Sequence, residues 1–143
     1  MDYDKNNIFG KIIREELPSE KVYEDNKVLV IMDIMPRVDG HLLVIPKSPC
    51  RNLLDANEDQ LVDCVLVVQR MAKIAMQAFD ADGITIQQFN EAAGGQEVFH
   101  LHFHILPRKN GVAVKPHDGK MEDPAILREN AQKMQVIMKK LSR

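Results

Sequence analysis

Cysteine is scarce in this chain, which has two in 143 residues, Cys50 and Cys64. Two cysteines so far apart can build neither a disulfide framework nor the CxxC pair of a metal knuckle. We therefore expect the protein to work in a reducing compartment.

The chain also lacks a long apolar run. No uninterrupted apolar segment approaches the roughly 18 residues that a membrane span needs, and the start Met1-Asp2-Tyr3-Asp4 lacks the apolar region of a secretory signal. The formal net charge of -2, with acidic and basic residues interspersed, favours neither nucleic acid nor an anionic membrane as a partner. We expect a cytoplasmic protein, and 143 residues suit one domain with one core.

What the chain does have is a segment, Val98 to Pro107, in which histidines alternate with bulky apolar residues. Successive side chains of a β-strand point to opposite faces, so a strand here puts His100, His102 and His104 on one face. The apolar residues next to them share the other face, which a core can bury. The pattern predicts a strand whose histidine face is free to meet a ligand.

Three interpretations of this row remain open. The first is a half-buried strand that exposes histidines by chance, although three of the five histidines of the chain fall in this one segment. The second is a zinc site, but the Cα atoms of His100 and His104 would be about 13 Å apart, so two of the three suit one ion better than all three. The third is catalysis, with the central His102 as the nucleophile.

The segment just before the histidines indicates what such a nucleophile would attack. It runs from Asn90 to Gln96 and contains Gly94 and Gly95, which admit a turn with positive φ whose backbone N–H groups converge on an anion. The side-chain amides of Asn90 and Gln96 add neutral donors for phosphate oxygens. An anion cradle beside a nucleophile favours attack on phosphorus.

The loop and the histidine row together resemble the signature of the histidine triad (HIT) family, His-x-His-x-His-x-x with apolar x. The resemblance extends upstream through Ile8 to Ile13, Met32-Asp33-Ile34 and Gly40 to Lys47, and covers about residues 7 to 108. It implies an α+β, HIT-like fold, in which a mostly antiparallel sheet of about five strands carries one long helix, with short N- and C-terminal helices. We expect residues 1–143 to form a single HIT domain whose C-terminal extension carries a helix at about 124–142.

The resemblance also implies roles for individual residues. His102 would attack the α-phosphorus of a purine nucleotide conjugate and form a nucleotidyl-histidine intermediate, while His104 and His100 bind phosphoryl oxygens or shape the hydrogen-bond network. His41 would hydrogen-bond into the triad and orient an imidazole. The residues that it implies for nucleotide binding are Phe9, Ile12, Met32, Asp33, Ile34, Asn90, Gly95, Gln96, Glu97 and Val98. It implies no metal and no cofactor.

Some of these residues could have a purely structural role, and others depart from the family pattern. Phe9 and Ile12 would line the nucleobase pocket, although an apolar helix face is more often core. Asp33 would accept hydrogen bonds from two ribose hydroxyls, although it can merely start a turn. The loop before the histidines is one residue shorter than in many relatives, and Glu97 stands where several of them carry a hydroxyl residue. A carboxylate there would repel an anionic substrate or help to handle a proton.

The resemblance leaves the substrate class open. The segment Ile8 to Ile13 resembles the Hint branch, nucleoside phosphoramidases that act on adenylated amines, and this reading is slightly favoured. Gly40 to Val44 and Leu106 to Lys109 resemble the Fhit branch, which hydrolyses dinucleoside polyphosphates. A nucleotide-binding interaction protein without catalysis, and a zinc protein that uses His100 and His102, remain alternatives.

Periodicity and capping signals predict the other elements. Strands are predicted at 21–24, 28–33, 40–47 and 84–89, a short helix after Asn6 or Asn7, and turns near 110–111 and at Asp118-Gly119. The longest helix is predicted from Glu58 to about Ala81, with Asn57 and Gln60 at capping-box spacing, and the last one after Asp123-Pro124. Lys47 and Arg51 are expected to remain solvated.

The long helix carries two adjoining apolar stripes. They are Leu61, Val65, Val68, Ala72, Ala75 and Phe79, and then Val67, Met71, Ile74 and Ala78. One stripe would cover the sheet, and the other needs a second partner. A two-fold related copy of the helix would supply it, so we predict a homodimer through residues 58–81.

Overall fold

A computed structural model gives the structure of the chain and describes residues 1–117 and 119–142. Its elements in chain order are α1 (Ile8–Ile13), β1 (Lys21–Glu24), β2 (Val28–Met32), β3 (Leu42–Pro46), α2 (Glu58–Ala78), β4 (Gly83–Gln87), β5 (Phe103–Arg108) and α3 (Pro124–Leu141). Single 3-10 turns lie at Leu53–Asp55 and Ala92–Gly94. The turn predicted at Asp118-Gly119 includes Asp118, which lies outside the described residues.

The strands form one antiparallel sheet of five strands in the order β1-β2-β3-β5-β4. The first three pair consecutively, β5 returns beside β3, and β4 closes the edge. This architecture confirms the predicted α+β fold. Helix α3 has 18 residues and lies within one residue of the predicted range 124–142, although it is not short compared with α2.

The two faces of the sheet bury different partners. Alternate residues of β2 and β3 point to opposite faces, and both strands are buried along their whole length. The face toward α2 and α3 carries Val28, Val30, Met32, Leu42, Val44 and Ile105, and the face toward α1 carries Leu29, Ile31, Leu43 and Ile45. We call these the helix-side face and the α1 face.

The helices begin where the capping signals predict. The Asn7 side chain accepts from the Gly10 amide, and Asn57 and Gln60 cap the start of α2 reciprocally. Asp123 caps α3, with Pro124 at its first position. Helix α2 ends at Ala78, three residues before the predicted end. None of the helices in the described part of the chain has the length and apolar character to cross a bilayer.

The apolar residues of α2 are divided differently from the two predicted stripes. Both stripes contribute to the core of the sheet, since Val68 and Ala75 of the first stripe and Met71 and Ile74 of the second are buried in it. Val65 of the first stripe is 51% exposed, and its neighbours Val62 and Leu66 are 55% and 61% exposed. The unpartnered apolar surface of α2 is therefore Val62, Val65 and Leu66, which we call the α2 patch.

Candidate functional site

The histidine segment differs from its prediction in one respect. The strand begins at Phe103 instead of Val98, so only His104 belongs to the hydrogen-bonded sheet. Val98 to His100 form bends before it, but Leu101, Phe103 and Ile105 all enter the helix-side core as predicted. The rings of His102 and His104 lie together, with centroids 5.0 Å apart. Both are at least nine-tenths buried, so the histidine face is far less open than predicted.

A hydrogen bond fixes the protonation of His102. Its Nδ1 lies 2.7 Å from the carbonyl oxygen of His100. A carbonyl can only accept, so Nδ1 carries the proton and Nε2 keeps its lone pair. Burial lowers the pKa of His102, while the bond to His100 opposes this shift, and the ring is neutral near pH 7. A neutral imidazole with a free Nε2 is the form that attacks as a nucleophile.

His104 is fixed by a chain of two hydrogen bonds. The Arg37 backbone N–H donates to Nδ1 of His41 at 3.1 Å, so the neutral His41 ring carries its proton on Nε2. That Nε2–H lies 2.9 Å from Nδ1 of His104 and donates to it. Nε2 of His104 must then carry the other proton. His104 therefore offers an N–H donor beside the free lone pair of His102.

Burial keeps the rings of His41 and His104 neutral. Burial, together with the neighbouring charge of Arg37, lowers the pKa of His41 to about 3. Burial likewise lowers the pKa of His104 to about 3, helped by the charge that His102 would carry. Neither ring is protonated near neutral pH, so the hydrogen bonds above describe the working state of the site.

His100 has both ring nitrogens occupied. Its Nε2–H donates to the carbonyl of Pro46 at 2.7 Å, and its Nδ1 accepts from the Tyr3 hydroxyl at 2.6 Å. No ring atom is left for a phosphoryl oxygen, so of the two predicted roles only shaping the network is compatible with the structure. Tyr3 was not identified from the sequence, because nothing local predicts a contact between residues 97 positions apart.

The donor chemistry does not suit a zinc ion. His100 and His102, the pair proposed for zinc, already use three of their four ring nitrogens. Within the described residues, one cluster could hold a metal: Asp33, His41 and His104. A metal on Nε2 of His41 would require the proton on Nδ1, where the Arg37 N–H points. A histidine that ligates a metal normally donates through its other nitrogen, and here that nitrogen accepts.

Asp33 directly follows the last residue of β2 and lies beside His41. Its Oδ2 lies 3.4 Å from Nε2 of His41, and its Oδ1 accepts from the Met35 amide at 2.9 Å. Burial, with a smaller contribution from the charge of Glu97, raises the pKa of Asp33 to about 6 against the lowering effect of the Met35 amide. Because the 3.4 Å contact with His41 is long for a hydrogen bond, Oδ2 of Asp33 is still available to accept a shorter one. This arrangement suits a ligand that brings hydroxyl groups.

Gln96 does not offer its amide to a ligand. Its two N–H groups donate to the carbonyls of Arg51 and Val98, and its oxygen accepts from Asn52 and the Glu91 amide. The side chain is 4% exposed. The prediction that Gln96 donates to phosphate is therefore wrong, and its amide holds the loop together.

The backbone of the glycine loop is also satisfied internally. The N–H groups of Gly94, Gly95 and Gln96 donate to carbonyls of Glu91 and Ala92, so they do not converge on an anion as predicted. The expected positive φ occurs at Gly95, at +97°. Within the described residues, the amides of Glu97 and Val98 have no acceptor. They are the donors that this segment can offer to a phosphate.

Arg51 was predicted to remain solvated, but it pairs with a residue of the loop and anchors it. Its guanidinium pairs with the Glu91 carboxylate through two contacts, at 2.7 and 3.1 Å, and stacks over the Phe99 ring. Glu91 adopts a positive φ of 65°, which a non-glycine residue rarely does, and the pairing stabilises it. Lys47 is likewise paired, with Glu24 at 2.8 Å.

The other predicted binding residues divide between the two faces. Phe9 and Ile12 lie on the α1 face with Val98, and the Phe9 ring packs edge-on against His102, with centroids 4.8 Å apart. Ile34 is 41% exposed just beyond Asp33. Met32 is buried in the helix-side core, so the prediction that it contacts the nucleotide is wrong.

Asn90 sits at the entry to the loop and keeps one spare donor. Its Nδ2 donates to Gln88, and its oxygen accepts from the Leu53 amide and from Gln88. An amide nitrogen has two hydrogens, so one remains for a ligand. The ring of Phe89, which was not predicted, covers His104 edge-on with centroids 5.5 Å apart.

Comparison with known proteins places this geometry in a family. The model of the HIT domain matches residues 14–111. A Hit-like protein involved in cell-cycle regulation from Bartonella henselae, solved with an unknown ligand, is 52% identical with a TM-score of 0.92, over 96% of this chain and 99% of that one. A zinc-bound histidine triad family protein from Mycobacterium smegmatis is 32% identical with a TM-score of 0.85, over 96% of both chains.

A curated relative carries a named activity. Adenosine 5'-monophosphoramidase HNT1 of Saccharomyces cerevisiae is 37% identical over 103 residues, which cover 72% of this chain and 63% of the yeast protein. The family match spans more than half of the chain and includes His41, His102 and His104. The chain therefore belongs to the histidine triad family of nucleotide hydrolases and transferases.

Proposed function

We propose that the protein cleaves a purine nucleotide conjugate at the α-phosphorus through a nucleotidyl-histidine on His102. The observation that carries this proposal is the bond from Nδ1 of His102 to the His100 carbonyl, which leaves Nε2 unprotonated. A donor, His104, lies beside it in a site that excludes most water. A nucleophile and a fixed donor at this spacing are what phosphoryl displacement requires.

The reaction has two balanced steps. In the first, Nε2 of His102 forms a bond to phosphorus while the bond to the leaving group breaks, and the leaving group departs with a proton taken from solvent. In the second, the oxygen of water bonds to phosphorus while the bond between phosphorus and Nε2 breaks. The proton that water loses passes to solvent, the nucleotide leaves, and His102 is neutral again. The Nε2–H of His104 stabilises the charge on the phosphoryl oxygens in both steps.

Binding is assigned to groups that the structure leaves available. Phe9 and Ile12 offer the apolar wall for the base, and the Asp33 carboxylate offers its acceptor to ribose hydroxyls. The amides of Glu97 and Val98 and the spare donor of Asn90 would face the phosphate, with Gly95 shaping the turn before them. His41 acts through His104 and is a positioning residue.

The favoured substrate is an adenylated amine. Two observations support it: the relative named as a monophosphoramidase, and the exposed Glu97 carboxylate, which favours a cationic amine over a polyphosphate tail. Hydrolysis of a dinucleoside polyphosphate is the second candidate. Turnover of an AMP–lysine amide conjugate should exceed that of diadenosine triphosphate, and the reverse ratio would assign the second activity.

Mass spectrometry tests the intermediate. The protein is mixed briefly with the AMP–amine conjugate, quenched at alkaline pH to protect the acid-labile bond, and digested. We expect an added AMP on the peptide that contains His102, and none in the His102→Ala variant. Retained nucleotide binding in that variant would separate lost chemistry from lost folding. A wild-type protein that binds nucleotide without turnover or adduct would instead be a binding module.

We also propose that the chain is one domain that forms a cytoplasmic homodimer through α2. Helix α3 packs on α2 and on β1, which supports a single domain, and the two free cysteines support a reducing compartment. The α2 patch supplies apolar surface for a second copy. Light scattering should give a mass of twice 16.3 kDa for the wild type. The Val65→Glu variant should have the mass of a single chain.

A further inference from the structure

A cavity whose lining includes neither His102 nor His104 lies at the C-terminal end of α2. It has a volume of about 540 Å³, within the usual range for small-molecule sites. The loop after β2, the C-terminal end of α2, the segment after β5 and helix α3 enclose it. Nothing in the proposed reaction uses it.

The cavity has an excess of positive charge. Arg37, Lys109, Lys115 and Lys133 line it, against two carboxylates, Asp39 and Asp80. Among the described residues, Lys109 and Lys115 have no ion-pair partner, and Lys133 has only a 4.0 Å contact with Glu129. Cations gathered without partners around one concave surface favour an anionic ligand.

An amide in the wall of the cavity adds a second observation. Asn130 belongs to α3 and lines the cavity, and only 7% of the residue is exposed. Its side chain makes no hydrogen bond to any of the described residues, and its amide atoms are not among the fully buried atoms without a partner. The amide is therefore accessible from the cavity and can bond to a polar group of a ligand there.

The rest of the lining determines the kind of anion. Val38, Phe79, Pro107 and Val112 form an apolar part with one aromatic ring. We propose that this cavity binds a nucleotide-sized phosphate ester, with the phosphate against Lys109 and Lys115 and the apolar body against Phe79. Asn130 then pairs with a polar group of that body. The site is distinct from the one that holds His102.

Two variant pairs make the proposal testable. Lys109→Gln/Lys115→Gln removes the two charges assigned to the phosphate and leaves untouched Arg37, whose backbone holds His41. Lys139→Gln/Lys140→Gln removes the same charge from the exposed end of α3 and serves as the control. Neither pair changes a residue of the proposed reaction.

The experiment is an NMR titration of the full-length, 15N-labelled protein with AMP, and with adenosine as the probe that lacks phosphate. We expect saturable shifts at the amides of Lys109 to Lys115 and at the side-chain amide of Asn130 with AMP only. Their Kd should rise at least about tenfold in the cavity variant and stay unchanged in the control variant. Shifts at the histidine residues report the proposed active site separately. No saturable shift at Lys109 to Lys115, or an equal Kd in the cavity variant, would overturn the proposal.

Discussion

Nε2 of His41 lies 2.9 Å from Nδ1 of His104, and through this contact a main-chain amide decides which nitrogen of His104 faces the site. The Arg37 N–H holds Nδ1 of His41, which fixes the proton on its Nε2. Nδ1 of His104 accepts a hydrogen bond from that N–H, so His104 carries its own proton on Nε2. The two rings act as one relay with a single arrangement of protons.

Replacing His41 tests the relay. His41→Leu removes the donor to His104, so the ring can adopt either tautomer, and kcat should fall about 10- to 100-fold with little change in KM. His41→Gln keeps an amide N–H near the position of Nε2 and should recover most of the loss. Steady-state kinetics of the two variants measure the difference. Equal losses in both would mean that His41 only fills space.

Asp33→Asn should stabilise the protein at neutral pH. Burial raises the pKa of Asp33 from 3.8 to about 6, which means that the folded state disfavours the charged carboxylate. The free energy of unfolding of the wild type therefore falls between about pH 4 and pH 6 and stays lower above that, by about 3 kcal/mol at most. The Asp33→Asn variant has no carboxylate to ionise at this position, so its free energy of unfolding does not fall in this way.

Urea denaturation at pH 4 and pH 7.5 measures this effect. The variant and the wild type should match at pH 4 and differ at pH 7.5, with the exposed Asp39→Asn as the control for one lost charge. Nucleotide affinity of Asp33→Asn should fall, because a neutral amide accepts ribose hydroxyls less strongly. A variant that is less stable at pH 7.5 contradicts the assignment.

The two glycines of the loop should respond differently to alanine. Gly95 has a φ of +97°, and an added Cβ would lie 3.3 Å from Cδ1 of Phe89, whose ring covers His104. Gly95→Ala should lower the free energy of unfolding by about 1–2 kcal/mol and reduce turnover. At Gly94 a Cβ meets nothing within 4 Å, so Gly94→Ala should be nearly neutral. Thermal melts and kinetics of the pair compare them.

Tyr3→Phe should affect stability more than chemistry. It leaves Nδ1 of His100 buried without its donor, which costs about 1–3 kcal/mol. The bond from His100 to the Pro46 carbonyl still fixes the ring, so kcat should change less than about threefold. The 15N shift of that Nδ1 reports the lost bond directly. Tyr23→Phe, which removes a hydroxyl bonded to Asp25, is the control and should leave the His100 signal unchanged.

The sequence predicted the elements well because their signals are local. Capping at Asn57 and Asp123 and continuous burial in β2 and β3 depend on neighbours within a few positions. The alternation around His102 also predicted side-chain directions correctly, although the ladder starts only at Phe103. An extended backbone alternates its side chains whether or not a neighbouring strand pairs with it.

The site details came from contacts between distant segments. Tyr3 reaches His100, and Arg51 reaches Glu91 across 40 positions, and neither pair has a periodic or spacing signal. Gln96 was misread for the same reason, since its partners Arg51 and Asn52 come from another loop. The prediction for Met32 failed because both faces of β2 are covered by apolar residues. The alternation of side chains then does not show whether a residue points to the helix-side face or to the α1 face.

The protons of both working histidines depend on peptide groups, the carbonyl of His100 and the amide of Arg37. Every residue except proline supplies the same N–H, and every residue supplies the same carbonyl. Every replacement at position 37 except proline therefore keeps the N–H that sets the proton on His41, and proline is the one substitution there that removes it.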